Sequence, residues 1–444
     1  MAFGPEELER RKQQRQQYEQ KRREEQQTLK KRLITAGFAL AFTAILILLM
    51  VFARPSVQVE PGVTTDPTAT GQTRPPETEP PTGQTVIRFT AAGDLNITDK
   101  VVQSGGSSLN YTDMISDVLP ILADADLTTI NLEGNFVGPP YGTATSSAPL
   151  QLLQALKMGG VDMIQMANSC AIDNGIIGLE TTLKSIRASG LEPLGAYATN
   201  AEAEKHGGYT IWDARGVRVA VVAFTKGMGG LGLPAGSEDC VNKLYLDYDT
   251  EYKKIDYDGI RKILKNLRSE KPDVTIAMLH WGMEHNDSVF ESQQDIAALM
   301  FDEGVDVILG THSHMIHEIV HDKENNTLVA YSLGDFFGDA SKAGTNYSLV
   351  LDIQITKDNE MGTTKIDGFT TTPIYTLSET ENNGYRRVVR IDETIAAYQV
   401  NFVDKVTGSA KDSMEYALER IEARIDPAAW KAKQEAQKAA EEAG

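Results

Sequence analysis

Cysteine and positive charge are both scarce in this sequence of 444 residues. Its only cysteines are Cys170 and Cys240, which excludes a small domain held together by several disulfides. One bridge between the two is compatible with an oxidising location, and their spacing neither supports nor excludes it. Acidic residues outnumber basic residues by 62 to 43, which argues against nucleic acid as a partner.

Charge is absent altogether from residues 33–53, a run of 21 predominantly apolar residues. At about 1.5 Å per helical residue such a run spans a hydrocarbon core of about 30 Å. A cleaved signal peptide would have a shorter apolar core and a small-residue cleavage site. The sequence therefore predicts one transmembrane helix, retained as a signal anchor.

The flanks of this span predict its orientation. Residues 1–32 carry ten basic and six acidic residues and end in Lys30-Lys31-Arg32. The positive-inside rule therefore places this charged segment in the cytoplasm and the main domain outside the cell. The 412 residues after it carry 33 basic and 56 acidic residues, a formal net charge of −23. Such a body is unsuited to an anionic membrane surface.

The rest of the chain divides by composition. Residues 54–86 are rich in proline and threonine and predict an extended linker. Strand and helix patterns then alternate, which predicts a mainly parallel sheet covered by helices. After Leu328 strand patterns predominate and are interpreted as completing a second sheet. We take residues 87–410 as one domain and residues 411–444 as a C-terminal helical segment, rich in Ala, Glu and Lys.

Histidine is also rare, yet six of the seven histidines fall between His280 and His321. His280 follows the apolar run Val274–Leu279, and His312 and His314 follow the run Val305–Leu309. Ligands bind at the carboxyl ends of strands in open α/β sheets. Two histidines one residue apart in extended backbone point the same way, so His312 and His314 are expected to reach one site. This crowding predicts a metal centre, whereas His285, His317 and His321 are interpreted as ordinary loop or surface histidines.

Oxygen ligands follow other predicted strands. Asp94 comes just after the first strand, Glu133 after the second, and Asn168 after the third. A single acidic residue in such a position is more often a helix cap than a ligand. Several such positions together favour a metal site instead. The predicted ligands are Asp94, Glu133, Asn168, His280, His312 and His314.

The order of these motifs resembles the CapA family of poly-γ-glutamate capsule synthesis, whose domain is similar to calcineurin-like metallophosphoesterases. The resemblance covers about residues 87–340, and its most specific motifs are His280-Trp281-Gly282-x-Glu284 and Tyr331-Ser332-Leu333-Gly334. It implies an α/β fold of the metallophosphoesterase type, a four-layer α/β/β/α sandwich. It also implies an envelope location and up to two metal ions.

The chain departs from the family pattern at two positions. Cys170 stands where the family has a histidine that is thought to assist the leaving oxygen, and Asp335 stands where the family has asparagine. A thiol does not reproduce imidazole acid catalysis at neutral pH without a strongly shifted pKa. Cys170 is thus open to two interpretations, a ligand or nucleophile and an inert small buried residue.

These observations lead to a hypothesis of a membrane-anchored, metal-dependent hydrolase that acts on an envelope or capsule polymer, poly-γ-glutamate or a related one. Divalent ions, with Mn, Fe and Zn as candidates, would be the cofactors. The candidate catalytic residues are His312, Cys170 and Glu284. Glu284 is expected to shape the cleft, and Trp281 is expected either to shape it too or to pack in the core. The expected partners are the polymer, capsule synthase subunits and the lipid bilayer. The alternatives are a scaffold or polymer-binding protein that lost the chemistry and a phosphoesterase unrelated to capsule.

Overall fold

The structure is a computed structural model that describes residues 83–382, 384, 386–399 and 406–443. Its strands are β1 (Gln84–Asn96), β2 (Leu127–Glu133), β3 (Met163–Gln165), β4 (Glu192–Leu194), β5 (Tyr209–Ala214), β6 (Val217–Thr225), β7 (Val274–His280), β8 (Val307–Thr311), β9 (Ile319–Asp322), β10 (Thr327–Ala330), β11 (Asp335–Phe337), β12 (Tyr347–Asp358), β13 (Thr363–Leu377) and β14 (Arg387–Arg390). Its helices are α1 (Asp99–Ser104), α2 (Thr112–Ile115), α3 (Leu119–Ala123), α4 (Gln151–Met158), α5 (Gly175–Ala188), α6 (Asn200–His206), α7 (Tyr257–Ser269), α8 (Glu291–Asp302), α9 (Ile391–Gln399), α10 (Gly408–Ile425) and α11 (Pro427–Ala443).

The strands form two sheets. The first has the order β14-β13-β12-β1-β2-β3-β4, with β11 beside β1, and the second has the order β5-β6-β7-β8-β10-β9. The predicted α/β class with two sheets is confirmed. The prediction that the strands after Leu328 complete the second sheet is wrong. The chain enters the second sheet at β5 and returns to the first at β11, so β12 and β13 belong to the first sheet. Alternating patterns predict where strands occur, but the pairing of β12 with β1 is a long-range choice that local sequence does not encode.

The two sheets pack face to face. The hydroxyl of Thr129 in β2 lies 3.1 Å from the sulfur of Met278 in β7, so this face of the first sheet meets the second. Ala91 pairs with Thr129, and Phe89 lies on the same face because side chains alternate along a strand. The neighbouring Thr128 points the other way and donates to the carbonyl of Leu122, the residue before the end of α3, at 2.7 Å.

Helix α7 shows how local sequence builds the outer layer. Ile260, Leu264 and Leu267 recur at helical spacing and are its buried residues, and the side chain of Asp256 caps the helix by accepting from the amide of Gly259. These apolar residues share a core with Phe224 and other residues on the outer face of the second sheet. Helices therefore cover the outer faces of both sheets.

The C-terminal residues pack on the first sheet. Helix α10 buries Ala410, Met414, Ala417 and Ile421, all of which join the core that contains β12 and β13. The hydroxyl of Thr407 caps this helix by accepting from the amide of Ala410 at 3.2 Å. At the N-terminal end of the described sequence, β1 begins at Gln84, which pairs with Asp358 of β12.

Membrane attachment is not addressed by the described residues. None of the helices described there is both long and apolar enough to cross a bilayer. The predicted charged segment 1–32, the predicted transmembrane helix 33–53 and nearly all of the predicted linker 54–86 lie outside the described residues. These three assignments therefore stay predictions.

A close backbone crossing lies where β1 leads into the candidate site. The amide of Asp94 donates to the carbonyl of Gly334 at 2.9 Å, and a Cβ at Gly93 would lie 1.8 Å from that carbonyl oxygen. Real Cβ atoms do not approach backbone so closely. Only glycine therefore allows the loop before β11 to lie against β1.

We expect Gly93→Ala to lower the free energy of unfolding by about 1–3 kcal/mol or more, the usual cost of overpacking. The added Cβ would force the backbone of Gly93 or of Gly334 to move. Gly368→Ala in β13 is the matched control, since a Cβ there meets nothing within 4 Å. Urea denaturation of both variants measures the difference. Equal transition midpoints for Gly93→Ala and the parent would contradict the close crossing.

Candidate metal centre

The candidate site lies where strand ends of the two sheets meet. Asp94 lies near the end of β1, Glu133 is the last residue of β2, and His280 is the last residue of β7. His312 and His314 follow β8 directly. All five side chains are buried, although each is polar or charged. The fold therefore collects them from four strands, two in each sheet.

These five residues form two groups with metal-ligand spacing. Glu133, His280 and His312 form one group, and Asp94, Glu133 and His314 form the other. Within each group the potential ligand atoms lie within 4.8 Å of one another. Glu133 belongs to both groups, so a single carboxylate connects two neighbouring ligand sets among the described residues.

His280 is oriented by its neighbours. Its Nδ1 lies 3.1 Å from the hydroxyl of Thr311, and that hydroxyl lies 3.3 Å from Gln165 Oε1. The side-chain amide of Asn131 also lies 3.5 Å from Nδ1. These contacts leave Nε2 facing Glu133, whose Oε1 is 3.9 Å away. Metal-binding histidines are commonly oriented in this way.

His312 and His314 converge by a different route from the predicted one. They lie beyond the end of β8 and have positive φ angles of 94° and 60°, so the expectation of extended backbone is wrong. Positive φ in a non-glycine residue costs about 1–3 kcal/mol and often marks a functional site. The amide of His312 donates to Asp94 Oδ2 at 3.0 Å, which anchors the turn to β1. The two side chains thus reach one site as expected, but through a strained loop.

Burial shifts the pKa values of the acidic groups upward. It raises the pKa of Asp94 to about 6 and that of Glu133 to about 8, against the opposing effect of His314. Burial likewise lowers the pKa values of His280 and His312 well below 6.5. Burial alone would also lower the pKa of His314, but the carboxylates of Asp335, Glu133 and Asp94 outweigh it and raise the pKa. In this cluster burial disfavours charge on Asp94, Glu133, His280 and His312, whereas the surrounding carboxylates favour the charged form of His314.

A divalent metal ion fits this cluster. Nε2 of His280 and Nδ1 of His312 are buried and have no hydrogen-bond partner among the described residues. Buried polar atoms are normally paired, so two unpaired imidazole nitrogens beside a carboxylate require an explanation. Imidazole and carboxylate together suit divalent transition metals such as Mn, Fe and Zn.

Asp335 has a role in this site that the sequence did not reveal. Its Oδ1 lies 2.8 Å from Nδ1 of His314 and accepts from the side-chain amide of Asn96 at 2.8 Å. The same Nδ1 lies 3.5 Å from Asp94 Oδ2, so Asp335 and Asp94 approach one nitrogen of His314. A carboxylate in this position fixes the orientation of the histidine. The departure from the family's asparagine therefore places a negative charge beside His314.

Two asparagines form a chain of hydrogen bonds that ends at the carboxylate of Asp94. The side-chain amide of Asn131 donates to Asp94 Oδ1 at 2.7 Å, and that of Asn168 donates to Asn131 Oδ1 at 3.0 Å. The oxygen of Asn168, which would be its metal ligand, accepts from the amide of Cys170 at 3.0 Å. Asn168 thus adjoins the cluster through Asn131, and its role as a ligand stays a prediction.

The predicted catalytic residues lie in different environments. His312 is inside the cluster. Glu284 is exposed in the loop after β7. Cys170 is half-buried, and burial together with the carboxylates of Asp173 and Glu133 raises the pKa of its thiol. A raised pKa disfavours the thiolate and hence a nucleophilic role. Both Cys170 and Cys240 are free thiols.

The remaining residues near the histidine motifs meet expectation in part. Trp281 packs in the outer core instead of lining the cleft, and its indole donates to the carbonyl of Tyr331 at 3.0 Å. His285 is an exposed loop residue as expected, although its ring centroid lies 5.2 Å from that of His314. His317 is buried, against the expectation of a loop or surface histidine, and contacts the carbonyl of Asn286 at 2.8 Å.

Sequence reasoning also missed Lys226. This residue directly follows β6, and its backbone amide donates to the carbonyl of His280 at 2.8 Å. The available signal was its position after an apolar strand, the same signal that identified Asp94 and Glu133. It was overlooked because a glycine-rich stretch follows it, which drew no functional assignment.

We expect Asp335→Asn to weaken divalent metal binding by about 10- to 100-fold, the usual effect of losing an orienting carboxylate behind a ligand histidine. The matched control is Asp339→Asn, since Asp339 caps the amide of Ser341 in the same region and makes no contact with His314. Titration of metal-stripped protein with Mn²⁺ or Zn²⁺ gives the two affinities. Unchanged affinity in Asp335→Asn would mean that this carboxylate does not support the ligand set.

Comparisons with known proteins agree with the order of motifs. Residues 88–340 match the family model of the bacterial capsule synthesis protein PGA_cap. The PGA biosynthesis protein CapA of Bacillus subtilis (strain 168) is 25% identical over 289 residues, 62% of this chain and 69% of that protein. The capsule biosynthesis protein CapA of Bacillus anthracis is 27% identical over 221 residues, half of each protein.

Solved structures with a similar arrangement include two with phosphoesterase-type names. A putative 5'-nucleotidase from Staphylococcus aureus has a TM-score of 0.43 at 14% identity and covers 66% of this chain and 55% of that chain. The calcineurin-like phosphoesterase YfkN from Bacillus subtilis has a TM-score of 0.41 at 14% identity and covers 76% of this chain and 99% of that chain. The family match alone spans more than half of the sequence, and it includes all six predicted metal ligands. The chain therefore belongs to the bacterial capsule synthesis family PGA_cap.

Proposed function

We propose that this protein is a membrane-anchored, extracytoplasmic, metal-dependent hydrolase that acts in the synthesis of poly-γ-glutamate or a related capsule polymer. The observation that carries the proposal is the pair of ligand groups that share Glu133 and contain buried, unpaired imidazole nitrogens. The family and its two CapA relatives support the assignment to capsule synthesis. Capsule synthase subunits are the proposed protein partners.

The residues of the site divide into ligands and supports. Asp94, Glu133, His280, His312 and His314 would hold up to two divalent ions. Such ions, when bound, supply Lewis acidity toward a scissile group and toward water. Asn131 positions Asp94, Thr311 contacts Nδ1 of His280 and orients its ring, and Asp335 orients His314. These supports act before any substrate arrives, and such preorganisation favours catalysis.

A polymer-binding or scaffold protein is the second candidate, and Cys170 favours it. The half-buried thiol with its raised pKa stands where the family pattern has an imidazole, so the site lacks that proton donor. The ligand groups are nevertheless retained. A protein of this kind would bind metal and polymer without cleaving the polymer.

We expect the full-length protein to copurify with a divalent transition metal, and we expect the double variant His280→Ala/His314→Ala to lose it. Metal that binds only the folded state adds about 2.7 kcal/mol of stability at 100 times its Kd, so the variant should also lose thermal stabilisation by added Mn²⁺. His321→Ala is the matched control, since its ring packs near Phe369 away from the cluster. Elemental analysis and thermal unfolding measure both effects.

The same preparations separate the two candidate functions. If the protein is a hydrolase, we expect the metal-loaded parent to cleave a phosphodiester or γ-glutamyl substrate and the double variant to be inactive. Metal content without any cleavage, together with retained polymer binding, would instead establish the scaffold. An unchanged metal content in the double variant would refute the metal centre itself.

The proposed membrane topology rests on sequence alone, namely the uncharged residues 33–53 and the basic flank Lys30-Lys31-Arg32. We expect protease added to intact cells to release the domain that begins at β1 by cutting in the proline- and threonine-rich linker. Immunoblotting of the medium and of the cells follows the fragment. Protection of the whole protein until the membrane is disrupted would reverse the assigned orientation.

A further inference from the structure

Lys226 is a cationic side chain at the rim of the candidate metal centre. It is the first residue after β6, and the pairing of β6 with β7 sets Thr225 level with His280. The backbone amide of Lys226 donates to the carbonyl of His280 at 2.8 Å. Strand register thus places Lys226 beside a metal ligand.

The side chain of Lys226 is held in place on two sides. Its Nζ donates to the carbonyl of Gly282 at 2.6 Å and lies 4.8 Å from the centroid of the Tyr252 ring. A cation against an aromatic face is stabilised electrostatically. The side chain is therefore fixed in advance, so binding a ligand costs less conformational entropy.

Burial lowers the pKa of Lys226, and the nearby carboxylate of Glu284 opposes this shift. No carboxylate of the described residues lies within salt-bridge distance, 4.0 Å, of its Nζ. An ammonium group has three donors, and the contact with Gly282 uses one of them. The charge also adds to the burial effect that lowers the pKa values of His280 and His312, so it acts directly on the cluster.

The proposed substrates give this cation a function. The proposed capsule polymer is rich in carboxylates, and a phosphoester is also anionic. A fixed cation beside the metal ligands is electrostatically complementary to one such oxyanion.

We propose that Lys226 binds an oxyanion of the substrate, a carboxylate or a phosphate, and orients it beside the metal centre. This inference rests on the proposed function, since it names the substrate chemistry of the same site. The rival explanation is structural: Lys226 only ties the backbone of Gly282 to β6. The two explanations differ in whether anion binding depends on the charge.

The test compares the full-length parent with Lys226→Gln, Lys226→Arg and Lys243→Gln. Lys243 is the matched control, because its Nζ lies 5.2 Å from the Tyr248 ring and donates to the carbonyl of Glu238. The probes are a γ-glutamyl oligomer and dimethyl phosphate, and calorimetry measures each Kd in the metal-loaded protein. Metal content and thermal unfolding are recorded for every sample.

We expect Lys226→Gln to weaken binding of at least one probe by about tenfold, equivalent to about 1.4 kcal/mol, with its metal content unchanged. Lys226→Arg should recover part of the affinity because it keeps the charge, and Lys243→Gln should bind as the parent does. A loss for the oligomer alone identifies a carboxylate ligand, and a loss for dimethyl phosphate alone identifies a phosphate.

Three results would overturn the inference. They are parental affinity of Lys226→Gln for both probes, an equal loss in Lys243→Gln, and no binding of either probe by the parent. The metal content of the parent decides the proposed metal centre separately, so failure of one proposal is distinguishable from failure of the other. If Lys226→Gln does not fold, Lys226→Arg measured at increasing salt concentration replaces it. Affinity that does not fall with salt would then overturn the inference, because charge-dependent binding is screened.

Discussion

Two carboxylates buried at the junction of two β-sheets are the constraint on which the rest of the site depends. Asp94 and Glu133 are each less than 10% exposed, and burial opposes their ionisation. The neighbouring side chains compensate for this in part. Amide donors from Asn131 and the backbone of His312 approach Asp94, and the hydroxyl of Ser169 donates to Glu133. The imidazoles of His280 and His312, held neutral by burial, supply lone pairs and no positive charge.

The sequence predicted the position of the site better than its construction. An acidic or histidine residue just after an apolar run predicted Asp94, Glu133, His280 and the His312–His314 pair, and these residues lie together because strand ends share an edge in an α/β fold. Asn131 and Asp335 were not assigned a role, because a support is recognised by what it touches. The strained turn at His312 was missed for a related reason, since its φ of 94° depends on the contact between its amide and Asp94.

Fold prediction shows the same division between local and long-range information. Helix α7 lies where its apolar spacing predicts, from Tyr257 to Ser269. The allocation of strands to sheets was wrong, since β12 and β13 join β1 instead of building a new sheet. The role of Trp281 was left open between cleft and core because a motif carries no information on which face of the strand end a side chain takes. The side chain lies toward Tyr331, on the side of the second sheet that the helices cover.

The position of β1 between β2 and β12 affects how the domain is divided. Residues 88–340 carry the family match, but β12 begins at Tyr347. A fragment that ends at residue 340 would leave one side of β1 without its hydrogen-bonded neighbour over the stretch from Gln84 to Ala92. Without β12, this side of β1 becomes an exposed sheet edge, and an exposed edge of this length can pair with other chains. The segment that matches the family model is thus shorter than the unit that folds, and Asp94 lies on a strand whose neighbour β12 is beyond that segment.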